Sequence, residues 1–257
     1  MANHLSIWWL AAIPGIAVVL GVQFMLHGIR VEREMKRCRY GKALKMLDGP
    51  LSWPSASLNR SLRADILFFS GRAQEAETIL RELAAPQRKA ADRLFGFESL
   101  GRVLLAQSRY EEATQAFEAA ARLVPTRSVA FSGLAELHLF QGTYAGLALR
   151  DAERALQLHR DSLIERTTSR EHLATIRGNQ AWALAVLGRA AESQQAIEAG
   201  VREMDPKFTP EVAGFYWRAG MAMLALENAS AASSYFRRAA KMDPQGYYGG
   251  LAKQRLT

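Results

Sequence analysis

Cysteine is nearly missing from this chain: Cys38 is the only one in 257 residues. A lone thiol excludes an intramolecular disulfide and a zinc site of the CxxC…CxxC kind, and it points to a reducing compartment. Glycine and proline are also few, at 19 and 8, while Ala, Leu, Glu and Arg are frequent. That mixture favours helix throughout. No stretch rich in Val, Ile and Thr alternates apolar with polar residues, so a sheet has no support. The expected fold class is all-α.

The signatures of chemistry are lacking too. The five histidines, His4, His27, His138, His159 and His172, form no HExxH and no i, i+4 pair that could share a metal. Gly41-Lys42 has no glycine-rich loop before it to cradle a phosphate, and neither GxSxG nor GxGxxG occurs. No nucleophile and base can be paired by name. Acidic pairs such as Glu111-Glu112 stand where a helix should begin, and there negative charge complements the helix dipole. The expectation is therefore a protein that is not an enzyme, with no catalytic, cofactor-binding or metal-binding residues.

The formal charge of +8 raises the question of nucleic acid. Between positions 30 and 45, seven basic residues (Arg30, Arg33, Lys36, Arg37, Arg39, Lys42, Lys45) stand against Glu32 and Glu34, a local net of +5 that leaves +3 for the remainder. A nucleic-acid groove spreads its cations along the body of the protein. No nucleic-acid partner is expected.

The one long apolar stretch, LSIWWLAAIPGIAVVLGVQFMLHGI at 5–29, contains no Asp, Glu, Lys or Arg. As a helix it would rise about 37 Å, against a hydrocarbon core of roughly 30 Å. Pro14 is tolerated in a bilayer, and Trp8 and Trp9 suit an interfacial belt. A cleaved signal peptide would need a basic start, and MANHLS supplies none. The expectation is a single-pass anchor with its N-terminus outside and the rest in the cytoplasm, most naturally at a bacterial inner membrane. Arg30, Arg33, Lys36, Arg37 and Arg39 are then placed for contact with anionic lipid, or simply fix the topology.

A repeat follows. In SLGRVLLAQSRYEEATQAFEAAARLVP, positions 99 to 125, Tyr110, Ala113, Phe117 and Ala120 lie on one helical stripe before Pro125, and Ala229, Ala232, Phe236 and Ala239 repeat the ladder before Pro244. Phe97, Leu100, Gly101 and Leu104 precede the first ladder, and Ala135 falls 34 residues after Gly101. The set resembles the tetratricopeptide repeat (TPR), a 34-residue helix–turn–helix unit. Further units fall at Ala181, Leu184, Gly188, Ser193, Ile197 and Gly200, at Tyr216, Gly220 and Met223, and upstream at Ala64, Leu67, Gly71, Ala76 and Leu80. Surplus length falls in QLHRDSLIERTTSREHL, where Thr168 and Glu171 read as a capping box.

The organisation expected is a short tail at 1–4, a transmembrane helix at 5–29, a basic segment with a partial hairpin at 30–56, a solenoid of about four full repeats at 57–246, and a capping segment at 247–257, helical only past Gly250. The resemblance implies a protein or peptide partner held in the concave groove lined by first helices. Its groove positions are Phe95, Glu98, Arg102, Glu136, Phe140, Trp182, Trp217 and Met221, with the two tryptophans as anchors. Packing between helices is the competing role for both. The family's two-carboxylate clamp is not matched, since Ser61, Asp65, Glu98 and Arg102 stand in its place. The function expected is a membrane-anchored scaffold recruiting a protein. The alternative is an adaptor subunit of a membrane enzyme or envelope-assembly complex, acting partly through its transmembrane helix.

Overall fold

The structure, a computed structural model, describes residues 22–23, 25–49, 56–142, 144–162 and 170–257. A helical stretch over 25–36 (α1) leads into α2 (Tyr40–Leu47), and five helical hairpins follow. They are α3 (Ala56–Phe69) with α4 (Ala73–Ala84), α5 (Ala90–Ala106) with α6 (Tyr110–Leu123), α7 (Ser128–Gln141) with α8 (Ala145–Asp161), α9 (Arg170–Val186) with α10 (Ala190–Glu203), and α11 (Thr209–Ala225) with α12 (Ala229–Met242). The last helix is α13 (Tyr247–Gln254). The all-α solenoid expected from the ladders is what the chain forms, with α1 and α2 as a further hairpin at its start.

One backbone device recurs at each turn within a hairpin. Cys38, Gly71, Ser108, Gly142, Gly188 and Glu227 all have φ between 56° and 79°. In five of these turns the next N–H, that of Arg39, Arg72, Arg109, Arg189 or Asn228, donates back to the carbonyl of Glu34, Leu67, Leu104, Leu184 or Met223 at 2.8–2.9 Å. This left-handed cap satisfies a carbonyl left over by the first helix and reverses the chain. The second helix then opens with an arginine that grips the glutamate three residues on: Arg72 on Glu75, Arg109 on Glu112 and Arg189 on Glu192, each through two contacts of 2.6–2.7 Å.

The small residues of the ladder let the hairpins nest. Ala113, Phe117 and Ala120 are buried, as are Ala232, Phe236 and Ala239. The ring of Phe117 lies between Gly101 of its own hairpin and Gly133 of the next, so closely that a Cβ at either would enter it. Successive first helices also touch, α5 on α7 and α9 on both α7 and α11.

The expected single-pass location with cytoplasmic repeats is corrected by the structure. Among the described residues no helix is long and apolar enough to cross a membrane. Positions 5–21 and 24 of the anchor reading lie outside the described residues. The described end of that segment leaves Val22, Met25, Leu26 and Ile29 exposed, with His27 Nε2 donating to the Met46 carbonyl at 3.0 Å; burial in the solenoid starts just beyond it, at Val31 and Met35 of α1, and Lys36 lies 5.4 Å from the Phe208 ring. Thr168 of the expected capping box likewise lies outside the described residues. The final helix begins earlier than Gly250, because Tyr247 and Tyr248 find aromatic neighbours and Gly249 fits flush on the Asp243 carbonyl.

The superhelix closes on itself. Tyr40 donates to Asp243 Oδ2 at 2.7 Å, and the Cys38 thiol lies 3.8 Å from the Met242 carbonyl, each more than two hundred positions away in sequence. Phe68 packs on Tyr247 at 5.1 Å and Phe69 on Phe208 at 5.9 Å. The first hairpins thus meet the last helices, and α11 runs through the middle, buried on every side from Pro210 to Gly220. A helix apolar around most of its circumference requires such a place.

Candidate protein-interaction surface

The inner face of the solenoid, where a TPR groove would lie, is filled by the chain's own side chains. Trp182 on α9 is 5% exposed and Trp217 on α11 is 2% exposed. They meet edge to face at 5.5 Å, Phe140 on α7 stacks on Trp217 at 5.5 Å and meets Trp182 at 5.7 Å, and Tyr248 comes within 6.1 Å of Trp217. Four rings from four helices therefore form one cluster. Offset and edge-to-face pairs of this kind stabilise beyond their burial by about 0.5–1.5 kcal/mol each. Among the predicted groove residues, Glu98 and Glu136 are also buried, while Phe95, Arg102, Phe140 and Met221 are half-buried.

Charge on this face is neutralised from within. The Arg218 side chain is fully buried, and its Nη2 donates to Glu136 Oε1 at 2.8 Å, to Glu136 Oε2 at 2.9 Å and to the Tyr248 hydroxyl at 2.7 Å. Its guanidinium also lies 4.8 Å from the Tyr248 ring centre. Although burial opposes its charge, Glu136 and Tyr248 more than offset that, and the proton is held more tightly than in water. Arg102 lies 3.3 Å from Asp65 Oδ1 and 3.9 Å from Glu211 Oε1, and Thr175 donates to Glu211 at 2.7 Å. Burial, reinforced by Glu211 and opposed by Arg102, pushes Asp65 up to about 6. Glu98 is bound by Arg127 at 2.8 Å. The space left between Arg102, Glu136, Glu211, Arg218 and Tyr248 is about 20 Å³, the size of one water.

The groove set expected from the sequence leaves out Asp65, Glu211, Thr175 and Tyr248. A signal for Asp65 was present: Asp65, Arg102, Glu136, Trp182 and Met221 occupy the same place relative to the left-handed turn residue in five successive hairpins, and charges of alternating sign there invite internal pairing. His138 stands 3.4 Å from Asp151 and 5.7 Å from the Tyr144 ring. Among the described residues no three His, Cys, Asp or Glu side chains gather as a metal site. The outer surface has shallow clefts, of which the one bounded by Ile29, Arg33, Lys36, Arg37 and Lys207 measures about 610 Å³.

The tetratricopeptide-repeat family profile matches residues 213–245, which lie in α11, α12 and the turn after them. A TPR protein of Thermus thermophilus superposes over 78% of this chain and 99% of its own, at 14% identity and a TM-score of 0.56. This is the tetratricopeptide-repeat fold. PilF of Pseudomonas aeruginosa matches over 91% of this chain and 96% of its own, at 20% identity and a TM-score of 0.50. A chain of the APC/C hetero-tetramer Cut9–Hcn1 matches 93% of this chain and 46% of its own, at 12% identity and a TM-score of 0.57. Identities this low speak for the TPR fold alone. Comparison with curated proteins finds no significant match.

Proposed function

We propose that this TPR solenoid is a protein-interaction scaffold that acts by binding, not by catalysis, and that it docks its partner on the outer surface and rims of the closed superhelix. The observation that carries this reading is the inner face itself. Its aromatic anchors pack on one another and its carboxylates Glu136, Asp65 and Glu98 are paired with Arg218, Arg102 and Arg127 of the same chain, so most of its recognition chemistry is used internally. Of the predicted groove set, Phe95, Arg102, Phe140 and Met221 are half-buried and keep the most surface for a partner.

The test is crosslinking capture under native conditions, with the wild type beside the pair Trp182→Phe/Trp217→Phe, which preserves the aromatic packing. Capture of the same protein by both, with unchanged melting temperature, supports docking outside the inner face. Loss of the partner from a fully folded Trp→Phe pair would return recognition to the tryptophans. If no protein is enriched over a charge-matched helical control, the scaffold reading fails.

A further inference from the structure

The cleft of about 610 Å³ between α1 and the approach to α11 is lined by Arg33, Lys36, Arg37, Lys207 and Ile29, with no carboxylate among them. Arg33 and Arg37 lie one turn apart on and just after α1, and Lys207 faces them from the loop before α11. The nearby acids are engaged elsewhere. Glu32 holds Lys36 at 2.7 Å, Glu34 turns to Arg39 and Lys42 at 3.4 and 3.3 Å, and Asp205 accepts the backbone N–H of Lys207 at 2.9 Å. Among the described residues none forms an ion pair with Arg33, Arg37 or Lys207. Three exposed cations thus converge on one concavity with an apolar residue at its edge. The concavity exists only because the chain ends meet, with Lys36 seated 5.4 Å from the Phe208 ring.

We propose that this cleft is the docking site for an acidic peptide segment of the partner protein. The inference rests on the scaffold reading and adds the chemistry of what is bound. Charge complementarity selects the occupant, since arginine guanidiniums offer forked donors that match carboxylates in pairs. The chain does not supply such a segment from its own start, because positions 1–21 contain neither Asp nor Glu. A second copy is disfavoured by the net charge of +8. A flat lipid surface does not enter a concavity, and a nucleic acid would need cations continued along the surface beyond it.

The experiment is fluorescence anisotropy with the full chain and a fluorescein-labelled peptide of alternating glutamate and leucine, about eight residues long, at low salt. Binding is expected to weaken about tenfold or more in Arg33→Glu/Arg37→Glu/Lys207→Glu, and comparably on raising salt several-fold, because exposed ion pairs are screened. These positions are exposed, so the melting temperature should hold and show that the variant folds. A glutamine version of the peptide that binds equally well would overturn the proposal, as would charge reversal that leaves affinity within twofold. Tighter binding to vesicles containing phosphatidylserine, or to polyuridine, at the same salt would overturn the choice of occupant. The capture experiment does not use the peptide, so a partner captured without peptide binding would defeat this proposal and leave the scaffold reading intact.

Discussion

The Glu136–Arg218 pair offers the sharpest test of closure. Both partners are buried, and they join α7 to α11 across 82 positions of sequence, with Tyr248 of α13 as a third member. The stem of Arg218 packs over Gly178, so Arg218→Met retains much of the shape while removing the charge. It leaves the Glu136 carboxylate buried and unpaired, which costs about 3–5 kcal/mol. For a domain of this size about 1 kcal/mol moves the melting temperature by roughly 2–4 °C, so a fall of about 6–20 °C is expected. The double change Arg218→Met/Glu136→Leu removes both charges and should recover most of that loss, because a buried ion pair contributes little net stability over an apolar pair of similar volume. Urea unfolding followed by circular dichroism gives the cycle. The reasoning is refuted if Arg218→Met costs less than about 1 kcal/mol, or if the double variant loses as much as the sum of the singles.

Gly133→Ala should destabilise by about 1–3 kcal/mol in the same assay, since its methyl enters the ring of the fully buried Phe117, and adding Phe117→Leu should restore part of the loss. Glu227→Gly should stabilise by about 0.5–1 kcal/mol, because a residue with a Cβ is strained at φ 58° and thermal melting will show its relief. Burial, reinforced by Asp243, pushes the Cys38 thiol up to about 12, so iodoacetamide at pH 8 should label it at least ~100-fold more slowly in the folded than in the urea-unfolded chain. Asp65 holds its proton more tightly when folded. Its contribution to stability is fully present below the unfolded value near 3.8 and is lost as pH rises through about 6. Between pH 4 and 7 the wild type should therefore lose more stability than Asp65→Asn, and parallel curves would refute the assignment.

The hairpins were legible because their cause is local. The Ala-and-Phe ladders of α6 and α12 state a helical period, and Gly71, Gly142 and Gly188 mark turns that need a left-handed residue. Cys38, Ser108 and Glu227 take that conformation without looking like glycine, so only the structure shows that all six turns are equivalent. The inner face was legible as a set of positions but not as a set of roles. Trp182 and Trp217 satisfy the description of groove anchors and of core residues alike, and which applies depends on whether another helix arrives over them. The apolar stretch read as a membrane anchor shows the same limit, for its described end runs on into α1, which touches α2 through His27 and buries Val31 and Met35 beyond the stretch.

The all-α chain of repeated hairpins, the ladder residues on which hairpins nest, and the concentration of positive charge near residues 30 to 45 are all written locally in the amino-acid order. These follow from helical period, turn chemistry and composition, each set within one or two repeats. The tertiary structure alone decided that the superhelix closes, bringing Tyr40 to Asp243 and Arg218 to Glu136, and that closure turns the inner face into core while placing Lys207 opposite Arg33 and Arg37. The physical reason is that curvature accumulates: a small rotation between neighbouring hairpins, invisible in any one repeat, decides after six of them whether the ends pass or meet.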